Sequence, residues 1–226
     1  VPAKREAGIQ LASTPLVVLI EDTICPQDGW LKAVEAAFED PAVVGCGGPV
    51  TLSTDLPAPA RALALAEFGK FGGERPAAPV LALPGCNLAF RRDAILRAVG
   101  SEGVIDQIVF ERLRAKGGTL FWVPAMRVNL CHPDMNGARL SNRFNHGRIY
   151  AGLSHRQSAG RRAAAAAKSL LLPPVLTARS LLQPGSTKHL SLPMMGWLAL
   201  QHTAWAAGEF TGAVFGLSEK GCDEWR

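Results

Sequence analysis

The chain has 226 residues, of which 48% are hydrophobic and 19% are charged, and its formal net charge is +5. This balance excludes an intrinsically disordered chain and allows one large domain or one domain with an appendage. The five cysteines stand at wide spacings without a CxxC pair, so neither a disulfide framework nor a cysteine-ligated zinc site is indicated. Val1 is followed at once by a segment typical of a folded interior, so we expect the chain to be the later part of a longer protein.

The first elements predicted in chain order alternate between helix and strand. A helix over residues 3–12 precedes the apolar run Leu16–Ile20, which predicts a strand buried on both faces. A helix from Trp30 to about residue 39 follows, and Val43–Val50 predicts a second strand interrupted by glycines. This order predicts an α/β fold with a mostly parallel sheet.

The next part of the chain begins with a stretch rich in Pro, Ala and Gly and then returns to regular elements. Residues 53–80 contain a short apolar helix near Ala60–Phe68, and Asp106–Lys116 is an amphipathic helix that Gly117 ends. The remaining predicted elements are a strand at 85–90, a helix at 92–99 and two short strands at 120–123 and 126–130.

The character of the chain changes near residue 139, which predicts a boundary between residues 1–138 and residues 139–226. The excess positive charge falls just after it, at Arg139, Arg143, Arg148, Arg156, Arg161, Arg162 and Lys168. Leu190–Gly208 then lacks Asp, Glu, Lys and Arg, which favours a helical region attached to a membrane surface. A true membrane span and an ordinary helical subdomain are the alternatives. A nucleic-acid partner is not expected, because the basic stretch leads into apolar helices rather than into an element that reads a groove.

Acidic residues follow the first predicted strand directly, at Glu21 and Asp22, with Thr23 next. In open α/β sheets ligands bind at the carboxyl ends of the strands. A carboxylate placed there can hold a divalent cation, which neutralises a diphosphate leaving group. The alternative is that these residues only form a turn or cap the next helix.

Five ordered segments resemble family-2 glycosyltransferases. The first is the strand with Glu21-Asp22-Thr23, Pro26 and Trp30-Leu31, which is similar to the family's metal-binding segment. The others are Asp40–Val50, Gly85–Arg92, the helix of Asp106 to Gly117, and Val123–His132. The resemblance implies a partial GT-A, or Rossmann-like, fold. It also implies that a nucleotide-binding segment precedes Val1.

The resemblance implies a role for each matching residue. Asp106 would be the general base, although it also suits the start of a helix. Glu21, Asp22 and Thr23, together with His132, would hold Mg²⁺ or Mn²⁺. Thr23 departs from the pattern, because a neutral hydroxyl replaces a carboxylate at a hard cation. A second departure is at position 105, where Ile stands in place of the family's Glu.

The remaining implied contacts concern the two substrates. Gly85, Asn87 and Arg91 would line the acceptor side. Arg143 and Arg148 would face the diphosphate, or alternatively a membrane surface.

Together these features predict a glycosyltransferase that moves a sugar from a nucleotide-sugar donor to a hydroxyl acceptor with inversion. The acceptor would be a glycan or a lipid-linked sugar, and the enzyme would act at the cytoplasmic face of the cell membrane. The alternative is a catalytically impaired relative that serves as a membrane-attached binding or assembly subunit. Thr23 and Ile105 favour this alternative.

Overall fold

The computed structural model describes residues 2–53, 56–131, 138–154, 158–183 and 191–216. These residues form two compact units. The described residues of 2–52 and 71–131 belong to the first unit, and those of 53–70 and 138–216 belong to the second. Helices and strands both contribute, so the protein is of mixed α/β class, as the sequence predicts.

The elements within the described residues follow one another along the chain with short connections. They are α1 (Pro2–Leu11), β1 (Leu16–Ile20), β2 (Ile24–Pro26), α2 (Trp30–Ala37), β3 (Val43–Gly47), β4 (Val50–Leu52), α3 (Ala58–Phe68), β5 (Ala78–Pro79), β6 (Asn87–Arg91), α4 (Arg92–Ala98), α5 (Asp106–Ala115), β7 (Thr119–Trp122), β8 (Val128–Leu130), α6 (Ala138–Ser154), α7 (Ala159–Ser169), α8 (Leu172–Leu181) and α9 (Leu192–Phe215).

The first unit contains two mixed sheets. The larger has the strand order β1-β6-β3-β7-β5, and the smaller has the order β2-β8-β4. Among the described strands only β3 with β7 and β4 with β8 pair in parallel, so the expected mostly parallel sheet is not observed. The reason is that β6 lies between β1 and β3 and runs antiparallel to both. Strands β1 and β3 therefore share a direction, as expected for strands joined through a helix, but they are not neighbours.

Strand β1 lies at one edge of the larger sheet. Val18 and Ile20 keep 39% and 44% of their surface exposed, whereas Val17 is buried. The prediction that this strand is buried on both faces is therefore wrong. An apolar run of this kind indicates a strand because it is rich in β-branched residues. It does not indicate whether a neighbouring element covers the second face of that strand.

The predicted strand Val43–Val50 is split between the two sheets, because the chain leaves the larger sheet at Gly47 and Gly48. A Cβ atom on Gly48 would lie 2.5 Å from the carbonyl oxygens of Val123 and Met126. Only glycine permits this close approach. The two glycines thus allow β3 and β4 to belong to different sheets.

The second unit is a helical bundle in which α9 packs against α3, α6, α7 and α8. Helices α6 and α9 approach closely, because Cβ atoms on Gly208 or Gly212 would meet the backbone of α6. Helix α3 belongs to this bundle, and its buried side chains include Leu63 and Leu65. The predicted boundary between residues 138 and 139 assigns α3 to the first part of the chain, so it does not predict that α3 packs in the bundle. Helix α3 carries apolar residues that need a partner, and α9 is the helix that covers them.

Helix α9 buries two polar side chains and leaves large apolar side chains exposed at its two ends. Gln201 and His202 are buried, while Leu192 and Phe215 are 82% and 72% exposed. Among the described residues, no helix combines the length and the apolar character needed to cross a membrane.

Candidate functional site

Asp106 is the first residue of α5 and makes an ion pair with α1. Its Oδ1 atom accepts a hydrogen bond of 3.0 Å from Nη1 of Arg5. A carboxylate at this position is also favoured by the positive end of the helix dipole. The N-cap position of α5 is occupied by Ile105, which makes no side-chain hydrogen bond, so Asp106 is not the capping residue of this helix.

Arg5 joins this carboxylate to the acidic turn after β1. Its Nη2 atom donates to Oε1 of Glu21 and to the carbonyl oxygen of Gly85, both at 3.2 Å. Gly85 also lies against Asp106, because a Cβ atom there would collide with Oδ2 of the carboxylate. Three segments that are distant in sequence therefore meet around one guanidinium. We call Arg5, Glu21, Gly85 and Asp106 the acid cluster.

Within the acid cluster, two influences on the pKa of Asp106 oppose each other. Burial raises the pKa of Asp106 above its ordinary value, while the charge and hydrogen bond of Arg5 lower it. The side chains of Asp106 and Glu21 nevertheless remain 26% and 38% exposed. A carboxylate that is desolvated yet accessible, with a fixed cation beside it, is suited to accept a proton.

An open groove runs along the free edge of β1, with Arg5 among the residues that line it. The groove has a volume of about 650 Å³, and its other walls come from the residues of β1 and from Lys4, Gly8, Ile9, Ala12 and Thr14. The acid cluster therefore has an accessible, largely apolar surface beside it.

The other predicted metal ligands form the turn after β1. Asp22 is exposed and Thr23 is partly exposed, and the Ile24 amide closes the turn on the carbonyl oxygen of Glu21 at 3.2 Å. The predicted ligand His132 lies outside the described residues.

The described residues of this turn do not provide a suitable set of ligands for a divalent cation. One oxygen of Glu21 faces the guanidinium of Arg5, and Thr23 supplies only a neutral hydroxyl. Within the described parts of the chain, no three His, Cys, Asp or Glu side chains are grouped to hold a metal ion. We therefore derive no chemical step through a metal.

Asn87 has an internal role in this arrangement. Its Oδ1 accepts a hydrogen bond from Trp30 Nε1 at 2.9 Å, and its Nδ2 donates to the carbonyl oxygens of Met126 and Gly48 at 2.7 and 3.3 Å. The residue is fully buried. It joins α2 to the loops at Gly48 and Met126, so its hydrogen bonds are internal and it does not lie on a surface that an acceptor reaches.

Arg91 lies at the opposite end of β6 from Asn87 and Gly85. In the register of β1 and β6, Arg91 is opposite Leu16, whereas Asn87 is opposite Ile20. Its guanidinium donates to the carbonyl oxygens of Val43 and Phe38 at 2.9 and 2.7 Å. The structure therefore separates Arg91 from the acid cluster.

The two predicted diphosphate ligands belong to the second unit. Arg143 is buried, lies 3.6 Å from Oε1 of Glu67, and has its guanidinium 4.7 Å from the ring centre of Trp205. Burial lowers the pKa of Arg143, and Glu67 opposes that change. Arg148 donates through Nε to the carbonyl oxygen of Gly216 at 3.3 Å, beyond the end of α9. Both side chains therefore support the bundle in this arrangement.

Arg5 is the residue of the acid cluster that sequence reasoning missed. One signal was present, because Arg5 stands four residues before the buried Ile9 on the same face of α1. A basic residue on the inward face of a helix that precedes an acidic turn is a candidate partner for those acids.

Comparison of the chain with protein-family models finds no match, and comparison with curated proteins finds none either.

Proposed function

We propose that this chain supplies the acid cluster of a nucleotide-sugar-dependent glycosyltransferase that acts on a hydroxyl acceptor with inversion. The observation that supports the proposal is the convergence on Arg5 of Glu21, Gly85 and Asp106. Each of these three comes from a different segment that resembles family-2 glycosyltransferases. The proposal includes the GT-A fold that the resemblance implies.

In the proposed reaction Asp106 is the general base. Its carboxylate takes the proton of the acceptor hydroxyl while the hydroxyl oxygen attacks the anomeric carbon. The bond from that carbon to the nucleoside diphosphate breaks in the same step, which inverts the configuration. Burial strengthens Asp106 as a base, and Arg5 holds the carboxylate in place and favours its ionised form before the acceptor arrives.

A divalent cation at the turn after β1 stays a prediction, and it has a direct test. A bound cation would neutralise charge on the leaving diphosphate. Thr23→Asp adds a third carboxylate beside Glu21 and Asp22, so Mn²⁺ should bind roughly 10-fold more tightly, a gain of about 1.4 kcal/mol. Calorimetric titration with MnCl₂ measures this affinity. Thr51→Asp, an exposed threonine of the smaller sheet, is the matched control. Equal Mn²⁺ affinity in both variants would exclude this turn as the cation site.

The second candidate function is a catalytically impaired binding or assembly subunit. The observation in its favour is that Arg5 already occupies Oδ1 of Asp106, the carboxylate that would accept the proton. Thr23 and Ile105, in place of acidic residues, agree with it.

Turnover of the full-length protein separates the two functions. We expect release of nucleoside diphosphate from at least one member of a panel of UDP-, GDP- and dTDP-sugars. Asp106→Asn should lower that turnover by roughly 100-fold or more, as for loss of a general base. Asp93→Asn, the same change at an exposed position of α4, should leave turnover within a few-fold of the parent. Equal turnover in both variants would refute the role of Asp106, and no turnover with any donor would favour the impaired subunit.

The proposal places the protein at the cytoplasmic face of the cell membrane, with the second unit as the contact. Its support is the exposed large apolar side chains of the bundle, which include Leu192 and Phe215 at the two ends of α9 and Leu171 and Leu182 near α8. Three of the basic residues, Arg143, Arg148 and Arg162, have internal partners and so contribute less charge to this surface than the sequence suggests. Arg162, for example, donates to the carbonyl oxygen of Ala213 at 2.8 Å. Apolar burial is therefore the main expected source of membrane affinity.

Flotation with lipid vesicles tests the membrane contact. We expect the protein to float with vesicles that contain anionic lipid and to stay bound in high salt, because screening acts on charges and not on apolar burial. Leu192→Glu combined with Phe215→Glu should lower the bound fraction at least several-fold. Leu81→Glu, at an exposed apolar position of the first unit, is the control. Flotation that is equal in these variants would contradict the proposed surface.

A further inference from the structure

Two cysteines lie on the same face of the smaller sheet. Cys25 in β2 is opposite Asn129 in β8, so Cys131 is its diagonal neighbour. The equivalent diagonal joins Gln27 to Asn129, whose Nε2 and Oδ1 atoms are 2.8 Å apart. Cys25 and Cys131 lie on the same kind of diagonal in this strand pair, which makes their side chains neighbours.

Both thiols are accessible, and Sγ of Cys131 donates to the carbonyl oxygen of Asn129, the residue opposite Cys25, at 3.5 Å. Hydrogen bonding to the Cys25 thiol, with a smaller effect of burial, raises the pKa of Cys131. Cys25 is exposed and Cys131 is partly exposed, whereas Cys46 and Cys86 are buried. The amide of Cys131 donates to the carbonyl oxygen of Thr23 at 2.9 Å, which holds the pair beside the acidic turn.

We propose that Cys25 and Cys131 form a reversible dithiol site, which a hydroperoxide oxidises to an intramolecular disulfide. The thiolate of the exposed Cys25 attacks a peroxide oxygen, the O–O bond breaks, and a sulfenic acid forms as the first water or alcohol leaves. The thiolate of Cys131 then attacks the sulfenic sulfur, which forms the S–S bond and releases water. The two thiols lose two electrons and two protons, and the peroxide is reduced. The disulfide ties β2 to β8 next to the turn of Glu21 and Thr23.

The test is mass spectrometry of the whole chain after treatment with hydrogen peroxide, with Cys222→Ser as the background because Cys222 lies outside the described residues. We expect a mass loss of two hydrogen atoms and, after proteolysis without reductant, a peptide pair linked through Cys25 and Cys131. Dithiothreitol should reverse both changes. The buried Cys46 offers a matched control, because Cys46→Ala should leave the link intact. In Cys131→Ser the same treatment should carry Cys25 on to the sulfinic acid.

The result that would overturn the proposal is oxidation of Cys25 to the sulfinic acid in the parent while Cys131 remains a free thiol. A link from Cys25 to any other cysteine would overturn it as well. Hydrogen exchange gives a second readout, since the disulfide should slow exchange at the amides of Ile24 and Cys131, which close the turn. Unchanged exchange after complete oxidation would refute the restraint of the turn. None of these measurements depends on transferase activity.

Discussion

His202 should make the stability of the helical bundle depend on pH. The residue is buried in α9, and its Nε2 atom lies 3.1 Å from Oγ of Ser180 on α8. Burial, with a contribution from the positive charge of Arg143 on α6, lowers the pKa of His202 from 6.5 to about 4. The nearest acidic group described on another helix of the bundle is Glu67 on α3, which pairs with that same arginine.

The sign of the effect follows from where the proton binds. Between pH 6.5 and pH 4 the unfolded chain binds a proton at His202 and the folded chain does not, so stability falls as the pH falls through this window. With these two pKa values, the free energy of unfolding should fall by about 2 kcal/mol between pH 7 and pH 5. Below the folded pKa the loss is complete and no longer changes.

Urea unfolding at pH 7 and pH 5 measures the change, with the tryptophans of α9 as the fluorescent probe. His202→Gln removes the titrating group, so the pH dependence of this variant should be smaller than that of the parent by about 2 kcal/mol. Comparison of the two proteins cancels titrations elsewhere, including that of Asp106. His146→Gln on α6 is the control and should keep the contribution of His202. The same pH dependence in His202→Gln and in the parent would refute the reasoning.

Two further predictions concern the helix contact and the acid cluster. Gly208→Ala should lower the free energy of unfolding by about 2–3 kcal/mol, because its Cβ atom has no room against the backbone of α6. Gly160→Ala, which meets nothing within 4 Å, should raise it by about 0.5–1 kcal/mol, so similar melting temperatures for the two variants would contradict the close helix contact. Arg5→Met should raise the pKa of Asp106 further, as measured by carboxyl ¹³C NMR, because Arg5 is the group that lowers it. Lys4→Met, an exposed change on the same helix, should not, and equal carboxyl titrations in both variants would exclude the ion pair.

The local elements were predictable because their signals are local. The apolar run at Leu16–Ile20 predicts β1 at the observed bounds, and the amphipathic pattern from Asp106 predicts α5 to within one residue of its observed end. The position of Asp106 at the start of its helix, and of Glu21 at the end of its strand, also follows from pattern alone. Each of these signals lies within a few residues of the feature that it predicts.

The partners of those residues were decided only by the tertiary structure. The position of Arg5 on its helix suggests an acidic partner but not that this partner is Asp106, because that contact depends on β6 lying beside β1 and on the loop before β6 approaching α5. Asn87 and Arg143 show the same limit, since a polar residue type suggests ligand binding while burial decides that its hydrogen bonds are internal. The sequence by itself determined elements with strong local patterns, such as β1 and α5, and the placement of acids at their ends. Tertiary structure decided the order of strands in the sheets, the burial of β1 and the assembly of the acid cluster. These features depend on contacts between residues far apart in the chain, and the free energy of such contacts cannot be read from a short segment.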